Sequence, residues 1–115
     1  RLLIEAKNKV LSLANEGYTQ PAQRKDIKVL GRTALGTLYA GIEAFGVSNF
    51  ASKYDQHIAR KLAFVMAGGD LSQATEVTEQ YLLDLEREAF LSLLGERKTL
   101  ERIQHILKTG KPLRN

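Results

Sequence analysis

The stretch EQYLLDLEREAFLSLLGE, residues 79–96, decides the fold class, because its apolar residues recur at intervals of three and four. That interval places them on one face of an α-helix. A cap at Thr75 or Thr78 begins the predicted helix, and Gly95 ends it. Its buried side would carry Val77, Leu82, Leu85, Ala89, Phe90, Leu93 and Leu94.

The same spacing continues on both sides of this stretch. It predicts four further helices, with bounds of about 2–15, 33–46, Ser52 to Gly68-Gly69, and 98–109. Asp55 follows Ser52 by three residues, which is close to a capping box, and Gly17 and Gly110 are typical helix-ending residues. The apolar residues expected to be buried in these helices are Leu3, Ala6, Val10, Leu13, Ala14; Leu35, Leu38, Ile42, Phe45; Tyr54, Ile58, Leu62, Val65, Met66; and Leu100, Ile103, Ile106, Leu107.

Between the first two helices, residues 18–30 are predicted to form a connection. Pro21 breaks any helix there, and the run 27–30 could be briefly extended. No alternation is strong enough to predict a sheet. The sequence therefore predicts an all-α fold of about five amphipathic helices in one domain, 1–115, in which 1–30 is a helix plus connection and 31–115 a helical bundle.

Composition excludes several classes of protein. The chain has 115 residues, of which 43% are hydrophobic and 26% charged, and it has no cysteine. These values are typical of a globular chain, and they exclude a disordered tail, a disulfide framework and a thiolate metal site. Apolar runs are too short for a membrane span, and no signal peptide is visible, so we expect a cytoplasmic protein. Because Arg1 and not Met stands first, we interpret the chain as a piece of a longer one.

The net charge of +4 is unevenly distributed, with an excess of +5 in residues 1–61 and −1 in residues 62–115. A basic half leaves open an alternative function as a small helical nucleic-acid-binding or regulatory module. The basic residues form no dense patch, however, and the fourth predicted helix, which contains 79–94, is acidic and would repel DNA. Nucleic acid is therefore not the expected partner.

No residues form a recognisable catalytic or metal-binding pattern. His57 is followed by Arg60 and Lys61, and His105 lies four residues after Glu101, which favours a solvated ion pair over a metal site. The acidic residues of the fourth predicted helix are interpreted as a solvated face, with Asp84 pairing Arg87; they are Glu76, Glu79, Asp84, Glu86 and Glu88. We predict no catalytic residue and no metal site.

Three segments carry a resemblance to a known family: KLAFVMAGGDL (61–71), the stretch 79–96 and RIQHILKTGKPLRN (102–115). They resemble the C-terminal region of bacterial multifunctional 3-hydroxyacyl-CoA dehydrogenases that also carry a crotonase-like enoyl-CoA hydratase region and act in fatty-acid β-oxidation. Residues 1–30 are similar to it more loosely.

The resemblance implies a helical, non-catalytic part of a larger enzyme. Its partners would be the upstream catalytic domains of the same chain, with a second copy of the chain as a further partner. NAD and a CoA thioester would be bound upstream, and no cofactor is expected within these residues, which lack the glycine fingerprint of a dinucleotide-binding fold.

Ordinary hydratases end in a pattern similar to Phe-Leu-Glu-Lys-Arg-Lys-Pro, which aligns here with residues 106–112. Lys111 and Pro112 match it, whereas Thr109 and Gly110 replace a lysine and an arginine. The resemblance implies Lys111 as the residue that contacts a phosphate of CoA. The alternative is a solvated lysine near a helix C-terminus, where positive charge is favourable.

Overall fold

The computed structural model describes residues 1–115 and consists mainly of helices, as the sequence predicts. The helices are α1 (Leu2–Asn15), α2 (Arg32–Val47), α3 (Lys53–Met66), α4 (Glu79–Leu94) and α5 (Arg97–Thr109). The strands are β1 (Ile27–Val29) and β2 (Thr75–Val77).

Local sequence signals set the helix ends. The Ser52 hydroxyl accepts from the Asp55 N–H at 3.0 Å, and the Asp55 carboxylate accepts from the Ser52 N–H at 2.9 Å, so the capping box is confirmed. Thr78 caps α4 by accepting from the Tyr81 N–H at 3.0 Å. Gly110 follows α5 with a φ of 72°, a left-handed conformation that glycine adopts without steric cost.

The two short strands form an antiparallel pair that the sequence analysis did not predict. Ile27 pairs with Val77 and Val29 with Thr75, so Val77 belongs to a strand and its assignment to the fourth predicted helix was wrong. Strands of three residues are too short to show alternation, and their partners lie far apart in the chain. The pair fixes the residues before α2 against the residues before α4.

The turn after α3 packs tightly against this sheet. Gly68 has a φ of +82°, and a β-carbon there would lie 2.5 Å from Cγ2 of the buried Val29. The Tyr81 hydroxyl donates to the Gly68 carbonyl at 2.8 Å, so α4 is attached to the same turn. Only a glycine fits this position.

The core is small and lies between α2 and α3. It is formed by Leu35, Ala63 and Ala67, with the half-buried Leu38, Tyr39, Ile42 and Phe64 packed around them. Only 8 of the 115 residues are buried, and the accessible surface is 9101 Å². A folded monomer of this mass exposes roughly 6,300 Å². The radius of gyration is 19.0 Å, against about 13 Å for a compact domain of this length.

Several residues expected in the core are instead exposed, and those predictions were wrong. On α2 and α3, Phe45, Leu62 and Met66 are each more than half exposed. Helical periodicity identifies an apolar face, but it does not show whether the same chain supplies the surface that covers it. The other exposed residues of the predicted faces are Leu3, Ala6, Val10, Ala14, Phe90, Leu100, Ile106 and Leu107.

None of the five helices is both long enough and apolar enough to cross a membrane.

Candidate functional site

The apolar side of α1 is a surface that has no partner in the chain. Leu2, Leu3, Ile4, Val10 and Leu11 are 79%, 84%, 64%, 64% and 51% exposed. Within the helix, only Leu13 is half-buried. An isolated helix of 14 residues is only marginally stable in water, since most helical stability in proteins comes from packing an apolar face. This surface is therefore suited to packing against another part of a protein.

A second exposed apolar patch lies where α2 meets α3. Phe45, Val47 and Phe50 are 60%, 79% and 73% exposed, and the two phenyl rings meet edge to face with centroids 6.4 Å apart. The Arg114 guanidinium donates to the Phe50 carbonyl at 2.9 Å, which holds this turn in place. Ordered, exposed aromatic side chains are characteristic of interaction surfaces.

Five side chains form a connected polar group, here called the tail cluster: Asp55, Glu101, Arg102, Arg114 and Asn115. Arg102 Nη1 lies 2.9 Å from Asp55 Oδ1, and Arg102 Nε donates to Asn115 Oδ1 at 2.6 Å. Asn115 Nδ2 donates to Glu101 Oε2 at 3.1 Å, and Arg114 Nη2 donates to Asp55 Oδ2 at 3.4 Å. The cluster joins α3, α5 and the residues after α5, and sequence reasoning missed it because its members are not at helical spacing.

Arg102 is at the centre of the tail cluster. Its guanidinium carbon lies 5.2 Å from the centroid of the Tyr54 ring, which is buried and whose hydroxyl is hydrogen-bonded to Thr99. The cation therefore lies within range of the electron-rich ring face. Arg102 Nη2 is buried without a hydrogen-bond partner in the chain. Its contacts fix this arginine as a structural link between α3 and α5.

The Asp55 carboxylate in this cluster remains charged down to low pH. The N–H of Ser52, which donates to it at 2.9 Å, is the main cause. Partial burial acts in the opposite direction, and the Arg102 guanidinium again favours the charged form. The net effect of these three causes is that the pKa of Asp55 falls from 3.8 to about 2. At neutral pH the pair with Arg102 is therefore an ion pair and not a proton donor and acceptor.

A groove of about 430 Å³ between α2, α3 and α4 contains His57, Arg60 and Lys61. His57 Nε2 lies 2.8 Å from Glu96 Oε2, a partner from the start of α5 that the sequence did not reveal. Ser92 also lines the groove, but its hydroxyl donates to the Ala89 carbonyl at 2.7 Å. The hydroxyl and the imidazole are thus held by different partners, and the groove does not form a nucleophile–base pair.

Two predicted ion pairs are not formed. Glu101 was expected to pair with His105, but it lies 3.6 Å from Arg97 Nε and accepts from Asn115. Helical spacing places Arg97 and His105 equally far along the helix from Glu101, four residues on either side, and does not choose between them.

Asp84 likewise accepts from Gln80 at 2.9 Å and not from Arg87. Glu76, Asp84, Glu86 and Glu88 are exposed, in agreement with a solvated acidic face. Glu79 differs, because it is half-buried and accepts from the Arg24 N–H at 3.1 Å, which attaches α4 to the connection after α1.

Lys111 is exposed and forms no ion pair within the chain. It directly follows Gly110, and its N–H donates to the Thr109 hydroxyl at 3.2 Å. Its backbone is therefore fixed at the end of α5, while its amine is free to contact a ligand or a second protein surface.

The structure thus defines a mostly helical domain with extensive apolar faces that lack partners in the chain. Over 114 residues, the chain is 49% identical to a probable 3-hydroxyacyl-CoA dehydrogenase of Bacillus subtilis (strain 168). The alignment includes 99% of this chain and 14% of that protein, so the chain spans about one-seventh of the relative's length. No family model matches the chain, and no solved structure is detectably similar to it.

The match supports the resemblance to a 3-hydroxyacyl-CoA dehydrogenase. A hydratase region and a role in β-oxidation stay predictions, as does the role of Lys111.

Proposed function

We propose that these residues form a helical, non-catalytic part of a 3-hydroxyacyl-CoA dehydrogenase that also carries an enoyl-CoA hydratase region and acts in fatty-acid β-oxidation in the cytoplasm. Its role is to pack against the catalytic parts of the same polypeptide and to support the association of several copies. The observation that carries this proposal is the unpartnered apolar face of α1.

The amount of exposed surface agrees with a role in packing. The chain exposes 9101 Å², roughly 2,800 Å² more than a folded monomer of its mass. Covering this excess would bury about 5,600 Å² counting both sides, at the upper end of permanent interfaces, which bury about 2,000–5,000 Å² or more in total. Covering the excess therefore requires an extensive interface, and a relative about seven times longer than the chain has ample polypeptide to supply it.

The cofactor of the proposed dehydrogenase does not fit the elements of this chain. NAD is held at the turn between a parallel strand and a following helix. Here the two strands are antiparallel and only three residues long. The proposal accordingly assigns NAD and the reacting part of the CoA thioester to other parts of the polypeptide. Lys111, exposed and without an ion pair, is proposed to contact a phosphate of CoA.

The test uses the longer polypeptide that contains this segment, with Leu3→Asp compared with Ser12→Asp. Both residues lie on α1 and are exposed in the 115-residue chain, but Ser12 lies about 180° around the helix from Leu3 and therefore off the apolar side. Burying a carboxylate at an interface is unfavourable. We expect Leu3→Asp to lower the melting temperature and the yield of folded enzyme, measured by NAD-dependent oxidation of a 3-hydroxyacyl-CoA and by hydration of a 2-enoyl-CoA. Ser12→Asp should leave both unchanged. Equal behaviour of the two variants would contradict the packing role, and absence of both activities from the unmodified polypeptide would contradict the proposed enzyme.

A further inference from the structure

The short segment 111–115 after α5 is held at both of its ends. At its start, the Thr109 hydroxyl donates to the His105 carbonyl at 2.8 Å and accepts from the Lys111 N–H at 3.2 Å. At its far end, Asn115 and Arg114 belong to the tail cluster. Lys111 therefore lies between two fixed points, although its own side chain is exposed.

We propose that Asn115 is a positioning residue, which holds the segment 111–115 along α5 and thereby places the Lys111 amine for its contact with a phosphate. The second half of this statement rests on the proposed function, whereas the first half depends only on the hydrogen bonds of the tail.

The carboxamide of Asn115 uses both of its chemical ends. Its Oδ1 accepts from Arg102 Nε at 2.6 Å, while its Nδ2 donates to the Lys98 carbonyl and to Glu101 Oε2, each at 3.1 Å. All three partners lie on α5. An aspartate could accept from Arg102, but it could not donate to the other two and would repel Glu101. Both the shape and the donor–acceptor pattern of asparagine are therefore used.

Arg114 provides a separate attachment of the same segment. Its Nη2 donates to the Phe50 carbonyl at 2.9 Å and lies 3.4 Å from Asp55 Oδ2, so it reaches across to the turn before α3. Asn115 attaches the segment 111–115 to α5, and Arg114 attaches it to the turn before α3. The segment is therefore held in two directions. A group that is already ordered loses less entropy on binding. A fixed segment 111–115 therefore gives Lys111 a higher affinity for a phosphate than a freely moving segment would.

The experiment uses the intact polypeptide and four variants: Asn115→Ala, Lys111→Ala, the double variant, and Gln104→Ala as the matched control. Gln104 is an exposed carboxamide on the same helix. Hydrogen exchange of the Lys111 amide, which donates to the Thr109 hydroxyl, reports on the order of the segment 111–115. The dissociation constant of coenzyme A, measured by calorimetry, reports on the contact between the Lys111 amine and a phosphate.

We expect Asn115→Ala to accelerate exchange of the Lys111 amide about threefold or more, since losing three hydrogen bonds of Asn115 frees the segment that follows this amide. It should also raise the dissociation constant about two- to fivefold, but only while Lys111 is present. Gln104→Ala should change neither quantity. Unchanged exchange in Asn115→Ala would overturn the proposal, and so would an equal loss of affinity with and without Lys111.

A failure of the proposed function has a different signature. If Lys111→Ala itself leaves the dissociation constant unchanged, Lys111 does not contact CoA. The proposal that Asn115 places the Lys111 amine for this contact then fails as well. Accelerated exchange in Asn115→Ala would still support the attachment of the tail, because that measurement requires no ligand.

Discussion

Arg102 Nη1 on α5 lies 2.9 Å from Asp55 Oδ1 in the first turn of α3, and this ion pair connects two helices that are separated in the chain by α4. The two side chains are only 21% and 26% exposed. Asp55 also completes the capping box with Ser52, so one carboxylate both begins α3 and fixes α5 to it. Loss of this residue would affect both connections.

Acid should weaken the chain through Asp55. Its folded-state pKa of about 2 lies below the ordinary 3.8, so the stabilisation is fully present above about pH 5 and is lost progressively as the pH falls from about 5 to 1. We expect a loss on the order of 1 to 2 kcal/mol, since solvent partly screens the carboxylate. Urea unfolding measured across this pH range should show the decrease, and Asp55→Asn should flatten it. An unchanged slope in Asp55→Asn would assign the decrease to other groups.

The Tyr81 hydroxyl should stabilise the attachment of α4 to the turn after α3, because it donates to the Gly68 carbonyl at 2.8 Å. Removing it with Tyr81→Phe is expected to lower the free energy of unfolding by about 1 kcal/mol, the usual contribution of such a bond. The matched control is Tyr39→Phe, a tyrosine packed at the core between α2 and α3. Urea unfolding of the two variants makes the comparison, and equal losses would contradict a specific role for the bond.

Gly68 should not tolerate a side chain. A β-carbon there would lie 2.5 Å from Val29 Cγ2, and the φ of +82° is itself unfavourable for alanine. We expect Gly68→Ala to cost about 2 kcal/mol or more in free energy of unfolding. Gly36→Ala is the control, because it lies inside α2 with nothing within 4 Å of its added carbon. That change should be neutral or stabilising by about 0.5–1 kcal/mol. If thermal unfolding ranks the two variants the other way, the packing described for this turn is wrong.

Helix positions could be predicted from the sequence because their determinants are local. The Ser52–Asp55 capping box and the glycines after α1 and α5 act within a few residues, and each is found where the sequence indicates. The sequence offers both Thr75 and Thr78 as the residue that caps the start of α4. In the structure Thr78 is the cap, because Thr75 is paired with Val29 in the sheet.

Contacts between distant residues could not be predicted in the same way. The link from Asn115 to Arg102, the pair of His57 with Glu96 and the pairing of Ile27 with Val77 depend on how the helices are arranged. Nothing in the sequence spacing of these residues indicates that arrangement of the helices. The exposure of Leu62 and Met66 has a related cause, since an apolar stripe has the same appearance whether its cover comes from this chain or from elsewhere.

The central claim is that other parts of a longer polypeptide cover the apolar face of α1, and hydrogen exchange of residues 2–15 in that intact polypeptide tests it most directly. A helix of 14 residues that remains uncovered opens readily, and its amides exchange within about tenfold of the rate of an unstructured peptide. If α1 is packed, its amides should exchange at least about a thousandfold more slowly, because they must wait for the interface to open. Slow exchange is the result we predict. Exchange near the unstructured rate throughout 2–15 would show that α1 is uncovered in the whole protein and would contradict the claim.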